Sequence, residues 1–414
     1  MKINGCRRAR ATTPKEHEEK RMSAMLTGIK VLEMANVISG PFGSMLLADL
    51  GAEVIKVEMP GTGDPFRNWA GEDAGVHPAF AAFNRGKKSI TVNVKTEEGR
   101  ALYLRLASDV DVVLDNFRPG ILDKLGVGYD EICKINPEVV YCSATGMGTV
   151  GPYRDRPTYD AIAQAMSGLW SQLSDVEDPE PVGPPLSDQL TGIYTAYGIL
   201  GALVSKLKTG KGRKINVSML GASLAFQPLA VADYLLSGKV ADKSSRPHLS
   251  QSYTFVGQDG LSFAVHLSSP PKFWKALLAT VGRPELEKDP RFIKKTDRVT
   301  HYDELRAELQ AEFARHPREY WLTELVANDV PAGPIYTIEE ALNDPQVKAL
   351  DMVRTFGSGS RATPLVGYGV DDETRPRDEA QRPVPGLGEH TREILTNIGY
   401  SQEEIESLVQ AGAV

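Results

Sequence analysis

From Ile29 onward, short apolar runs and helical stretches alternate, and this alternation restricts the chain to few architectures. Ile29-Lys-Val-Leu-Glu-Met34 reads as a strand, Asn36-Val-Ile-Ser-Gly40-Pro41 as a loop, Phe42 to Leu50 as a helix stopped by Gly51, and Glu53-Val-Ile-Lys-Val57 as the next strand. A βαβ unit with connections this short takes a right-handed crossover between parallel strands. Further strands at 88–94, 110–114 and 139–143 are separated by helices at 97–107 and 129–135. The prediction is an α/β chain with a mostly parallel, doubly wound sheet.

A chain of 414 residues exceeds one ordinary core, so more than one domain is expected. The alternation loosens after Pro228: residues 240–252 read as loop, and Tyr253 to Leu267 as a hairpin turning at Gly257-Gln-Asp-Gly260. Helices follow at 271–281, 301–316 and 317–328, Val330-Pro-Ala-Gly-Pro334 reads as a linker, and residues 385–412 hold a final helical pair. The expected division is a disordered tail over 1–24, a large domain over 25–230 completed by 335–414, and a smaller α+β domain with linkers over 231–334. The tail is rich in charge (Arg7, Arg8, Arg10, Glu16, Glu18, Glu19) without a signal-peptide core, so Met22 or Met25 is the expected functional start.

Composition excludes several classes. A net charge of -7 argues against a nucleic-acid surface. No apolar run is seen to reach the ~20 residues of a membrane span, so no membrane partner is expected. Cys6, Cys133 and Cys142 show neither disulfide nor metal-ligand spacing, which predicts no metal site and a reduced, cytoplasmic setting.

In Gly183-Pro-Pro-Leu-Ser-Asp188-Gln-Leu-Thr-Gly192 two prolines enforce an extended approach. Leu190, Ile193, Tyr197, Leu200 and Leu203 then recur at helical spacing, and the helix closes with Lys206, Lys208 and Gly210. Ser187 or Asp188 therefore stands at a helix start. There the free N–H groups and the macrodipole are expected to lower the Asp188 pKa. By itself this feature fits a plain helix-starting aspartate as well as a functional one.

Ligands of open α/β sheets bind beyond the carboxyl ends of the strands. Four loops belong there: 36–41, 84–88, 116–120 and 144–148. No G-x-G-x-x-G follows the first strand and no G-x-x-x-x-G-K-[ST] occurs, which makes a nicotinamide oxidoreductase remote. Asn84-Arg-Gly-Lys-Lys88, with Arg118 and Lys124, gathers cations suited to the phosphates of a nucleotide-like ligand, or simply to a solvated basic surface.

Taken in order, Gly40-Pro41, Leu47-Ala-Asp-Leu-Gly-Ala-Glu-Val-Ile-Lys-Val-Glu58, Asn116-Phe-Arg-Pro-Gly120, Gly151-Pro-Tyr-Arg-Asp-Arg156, Tyr159-Asp-Ala-Ile-Ala-Gln-Ala165, Ser187-Asp188, Thr209-Gly-Lys-Gly-Arg213, Gly333-Pro334 and Leu387-Gly-Glu-His390 carry a resemblance. The chain resembles the family III CoA-transferases, the group that includes formyl-CoA transferase and the carnitine CoA-transferases, with the α-methylacyl-CoA racemases as relatives. The resemblance implies a large Rossmann-like, CoA-binding domain, a small domain and an interlocked homodimer. It implies transfer of CoA from a short-chain acyl-CoA to a free carboxylic acid through covalent intermediates on Asp188, with CoA as a substrate and no permanently bound cofactor. Tyr159 becomes a second catalytic candidate, hydrogen-bonding the acyl carbonyl. It stands where the racemases have a histidine, and a phenol titrating near ~10 is a poor base for an α-proton. The CoA contacts implied are Asn36, Val37, Ile38, Ser39, Val92, Asn116, Phe117, Lys124 and Leu125.

The glycine run that formyl-CoA transferase carries in its small domain has no counterpart in Ser250–Phe255, which speaks against formyl-CoA and oxalate as substrates. Arg246, His248, His266 and Lys272 lie in the corresponding region, where a cation would suit a dicarboxylate such as that of succinyl-CoA. The competing readings are an acyl-CoA racemase or epimerase and a non-catalytic CoA-binding subunit.

Overall fold

The computed structural model of the chain describes residues 24–69, 77–268, 270–370, 372 and 382–414. The expected disordered tail over 1–24 lies, but for Ala24, outside the described residues. The chain divides into two compact units: 1–167 with 185–226 and 351–414, and 168–184 with 227–350. The second unit thus takes in residues 168–184 and 335–350, which the sequence pattern assigns to the large domain.

The first unit is built on a six-stranded sheet in the order β3-β2-β1-β4-β5-β6, every neighbouring pair parallel. Its strands are β1 (Lys30–Met34), β2 (Glu53–Glu58), β3 (Lys88–Thr91), β4 (Val112–Asp115), β5 (Val140–Thr145) and β6 (Arg213–Ser218). Side chains alternate between the two faces, as strand geometry requires. Val31, Val54, Val112, Leu114, Val140 and Cys142 meet α1 (Ser39–Asp49) and the 24-residue helix Leu186–Thr209 on one face. Leu32, Ile55, Val113 and Tyr141 face the other way, onto Leu102, Tyr103 and Leu106 of the helix Glu97–Ala107. The C-terminal helices Thr391–Asn397 and Gln402–Gln410 complete that second layer with Ile394, Leu395 and Ile405. With both faces covered, the strands read as nearly unbroken apolar runs.

Numbered in chain order, the remaining helices of this unit are α2 (Pro78–Asn84), α3 (Glu97–Ala107), α4 (Ile121–Lys124), α5 (Tyr129–Ile135), α6 (Asp160–Met166), α7 (Leu186–Thr209) and α8 (Met219–Ala225). Helices α1 and α7 touch almost backbone to backbone. A Cβ on Gly192 would lie 2.7 Å from Phe42 and 3.1 Å from the Gly43 nitrogen, and one on Gly43 would lie 2.8 Å from Thr195. α7 is also the one unbroken helix among the described residues long and apolar enough, by length and composition, to cross a membrane. That corrects the expectation that no such stretch exists. Leu190, Ala196, Ile199, Ala202 and Leu203 spend much of its apolar surface inside the unit.

The second unit has its own core around Tyr253, Phe255, Phe263, Trp274, Phe313 and Trp321. The expected hairpin forms from β7 (Ser252–Val256) and β8 (Ser262–His266). Ala332–Pro334, read from sequence as a linker, is instead the third strand, β9, antiparallel to β8. Two prolines flanking a glycine look like a connector, but an edge strand tolerates them because one side needs no N–H donors. Residues 245–250, read as loop, form a short helix.

Candidate active site

Strand order reverses between β1 and β4, so the chain leaves their carboxyl ends in opposite directions and opens a crevice. Asn116, just past β4, spans it. Its side-chain oxygen accepts from the Asn36 N–H at 3.0 Å, and its amide donates to the Asn36 carbonyl at 2.7 Å and to Ser39 Oγ at 3.3 Å. Gly40 allows the approach, because a Cβ there would lie 2.5 Å from that of Ala35 and 3.3 Å from that of Asn116.

A cleft of about 210 Å³ lies over this bridge. The loop supplies Asn36, Val37 and Ser39, the turn after β4 supplies Asn116, Phe117 and Arg118, and Tyr159 and Asp188 line it too. Seven of the eleven residues proposed from sequence are therefore together. Ile38 points instead into an apolar cluster with Phe66, Phe80 and Val384. Val92 is sealed in the main core, and Leu125 packs against it. Lys124, at the end of α4, is exposed and does not line the cleft.

Asp188 is the third residue of α7, behind Pro185, which offers no side-chain cap. It is 5 % exposed. Its backbone N–H donates to Asp160 Oδ1 at 3.1 Å, and Asp160 is itself the first residue of α6, held by Gln164 Nε2. Burial, then the like charge of Asp160, push the Asp188 carboxyl up to about 7. The lowered pKa expected from the helix start is thus corrected. The macrodipole favours the anion by a fraction of the cost of desolvating it beside a second carboxylate. Tyr159 precedes α6 and is 72 % exposed, at the mouth.

Sequence reasoning passes over two of the three arginines of this cleft. Arg154 and Arg156 line it alongside Arg118, whereas along the chain they stand out only as parts of a motif. Arg118, Pro119 and Arg154 also border a second cleft of about 230 Å³. The basic stretch 84–88, considered for phosphate binding, is committed elsewhere. Arg85 pairs with Asp49 at 2.5 Å, Lys87 with Glu33 at 2.7 Å, and Lys88 with Glu53 and Glu393 at 2.7 and 2.8 Å. Asn84, Arg85 and Lys87 are all buried. In the second unit Lys272 pairs with Asp329, His248 stacks on Tyr302, and His266 meets Ser252 Oγ at 2.7 Å, while Arg246 is exposed.

The loop itself rests on a buried ionic network. Lys56 lies opposite Glu33 in the β1–β2 register and contacts Glu33 Oε1 at 2.9 Å, Asp64 Oδ2 at 2.9 Å and the Ala35 carbonyl at 2.7 Å. Lys87 contacts Glu33 Oε2 at 2.7 Å, the Pro41 carbonyl at 2.9 Å and Asn84 Oδ1 at 2.9 Å. Burial alone would raise the Glu33 carboxyl, yet the two lysines hold it at about 2. Burial draws Lys87 down to about 8 against the pull of Glu33. A charged residue on the covered face of a parallel strand was the signal available in sequence, at Glu33 and at Lys56 alike.

The family model described as CoA-transferase family III matches residues 26–391. The acetyl-CoA:oxalate CoA-transferase of Acetobacter aceti is 37% identical over 350 residues, covering 83% of this chain and 90% of that protein. The succinyl-CoA:glutarate CoA-transferase of Mus musculus is 35% identical over 400 residues, covering 94% and 90%. Among solved structures, a CaiB/BaiF family protein from Brucella suis superposes with a TM-score of 0.79 at 34% identity, covering 91% of this chain and 100% of that one.

Proposed function

Because the chain belongs to CoA-transferase family III and is a CoA-transferase, we propose that it moves CoA from a short-chain acyl-CoA to a dicarboxylic acid, with Asp188 as the covalent carrier. Succinyl-CoA is the first donor to test, and a four- or five-carbon dicarboxylate the first acceptor. The mouse relative's name supports that pairing, and the oxalate named for the bacterial relative is a dicarboxylate as well. Arg118, Arg154 and Arg156 suit the anionic groups that both substrates carry, the phosphates of CoA and the second carboxylate of the acid.

The observation that carries the reading is the setting of Asp188. A carboxylate 5 % exposed, pushed up to about 7, lines the cleft that the 36–39 loop borders. Such a group is little solvated and more basic than a surface aspartate, which favours attack on a thioester carbonyl. Attack expels CoA thiolate and leaves an aspartyl–acyl anhydride. The thiolate attacks the aspartyl carbonyl and releases the donor acid, giving an aspartyl–CoA thioester. The acceptor carboxylate then repeats both steps in reverse, so one thioester is broken for each one made. Tyr159 lines the same cleft, which supports its role as a hydrogen-bond donor to an acyl carbonyl. The expected assembly is a homodimer, and an outward apolar stripe on α7 supports it: Ile193, Tyr197, Val204 and Leu207 are each about half exposed or more.

Crossing a panel of acyl-CoA donors with carboxylic acids, read by mass spectrometry, tests the assignment. Asp188→Asn is expected to abolish exchange, and hydroxylamine added during turnover to label Asp188 in the wild type. Retention of exchange by Asp188→Asn would remove the carrier role.

A further inference from the structure

Val37 is the least comfortable residue of the cleft loop. Its φ is 69°, a left-handed conformation that β-branched side chains avoid because Cβ crowds the backbone. Its neighbours are held on both sides, Asn36 by the Asn116 amide and Ile38 by burial at 8 % exposure. The Asn36 carbonyl that Asn116 binds and the Val37 N–H belong to one peptide unit, so that unit is gripped at both ends, and only its N–H end is left to a second partner. That peptide N–H donates to both oxygens of Asp64, at 3.2 Å each.

Asp64 lies 27 residues further along the chain and is wholly buried. Lys56 fixes one oxygen at 2.9 Å, the Phe66 N–H donates to the other at 2.9 Å, and the Asp64 N–H donates to Glu58 Oε2 at 3.0 Å. Glu58 is clamped in turn by Arg67, at 2.7 and 2.8 Å, and by Ser89 at 2.6 Å. The carboxylate therefore cannot follow the loop if the loop relaxes.

We propose that Asp64 is a positioning residue for the CoA-binding cleft: its carboxylate, locked by Lys56, holds the Val37 peptide in a left-handed conformation and so keeps Asn36 and Ser39 facing the ligand. The inference rests on the reading of residues 36–39 as part of the acyl-CoA site. Released from Asp64, Val37 returns to an extended conformation and redirects the residues on either side. A glycine in place of Val37 adopts the left-handed conformation unaided, so it makes Asp64 dispensable for this purpose.

The test is a double-mutant cycle on Asp64→Asn and Val37→Gly, assayed with succinyl-CoA and glutarate. With Val37 present, Asp64→Asn is expected to raise the KM for succinyl-CoA roughly tenfold, with a much smaller change in kcat. In the Val37→Gly background, the same substitution is expected to raise it less than about threefold. An equal rise in both backgrounds, or none in either, overturns the proposal, because a general loss of stability would not distinguish valine from glycine. Amide exchange resolved at Val37 in the ligand-free wild type needs no variant to fold. Slow exchange supports the hold, and exchange at the rate of a free loop overturns it. Free CoA added to the wild type is expected to protect residues 36–39 further. Failure of that step alone would strike at the cleft as the CoA site, whereas fast exchange before CoA is added strikes at Asp64.

Discussion

Two aspartates at two helix starts meet beside the cleft, and Asp188 lines it. The Asp188 N–H is bonded to Asp160, so the second carboxylate both fixes the backbone of the first and opposes its charge. With Asp188 as the proposed carrier, the donor half-reaction needs its anion, and the rate is expected to fall as pH drops below about 7. Asp160→Asn keeps an acceptor oxygen but removes the charge, and should move that limb to lower pH in a pH–rate profile. Stability follows with the opposite sense. The folded pKa of about 7 lies above the ordinary 3.8, so the native state holds a proton that the unfolded state has lost, and stability declines from about pH 4 to pH 7. Asp188→Asn is therefore expected to stabilise the protein at pH 8, by roughly 4 kcal/mol at most, and to be close to neutral at pH 4. Denaturant melts at the two pH values measure the difference. Equal stability changes at both would mean that Asp188 is not held in the charge-hostile setting described.

At the scale of elements, the contact between α1 and α7 matters most, because it brings the Asp188 end of one helix to the loop that starts the other. The two glycines that permit it leave no room for a methyl group at either position. Gly192→Ala is expected to cost roughly 1–3 kcal/mol and to lower kcat more than a surface substitution of equal cost, since Phe42 and the Gly43 backbone must give way. Thermal melts paired with kcat check this, and an unchanged melting point would show that the helices separate freely. The helices and strands were largely legible in sequence, because period and stop signals are local: Gly51 ends α1, and Gly210 ends α7 with φ 66°. The failures were non-local in origin. Ala332–Pro334 reads as a linker because its pairing partner, β8, lies far back along the chain, at Ser262–His266.

For the whole molecule, apolar surface is the telling quantity. α7 buries one face against α1 and the sheet and shows Ile193, Tyr197, Val204 and Leu207 on the other, the stripe proposed to meet a second copy. Tyr197→Lys combined with Leu207→Glu is expected to convert a dimer to a monomer in light scattering, and an unchanged mass would place the interface elsewhere. By itself the amino-acid order determined the parallel α/β sheet, the helix that begins beside Asp188 and three of the four loops expected at the carboxyl ends of the strands, because each follows from periodicity and local backbone preference; the fourth, 84–88, enters β3 at its amino end instead. Only the tertiary structure decided which charges are free to meet a ligand. Lys87 and Arg85 look available along the chain but are matched to Glu33 and Asp49, while Arg154 and Arg156, inconspicuous in sequence, line the cleft. The ionisation of Asp188 was settled there too. Desolvation and the charge of Asp160 act through space, on distances that residue spacing does not contain.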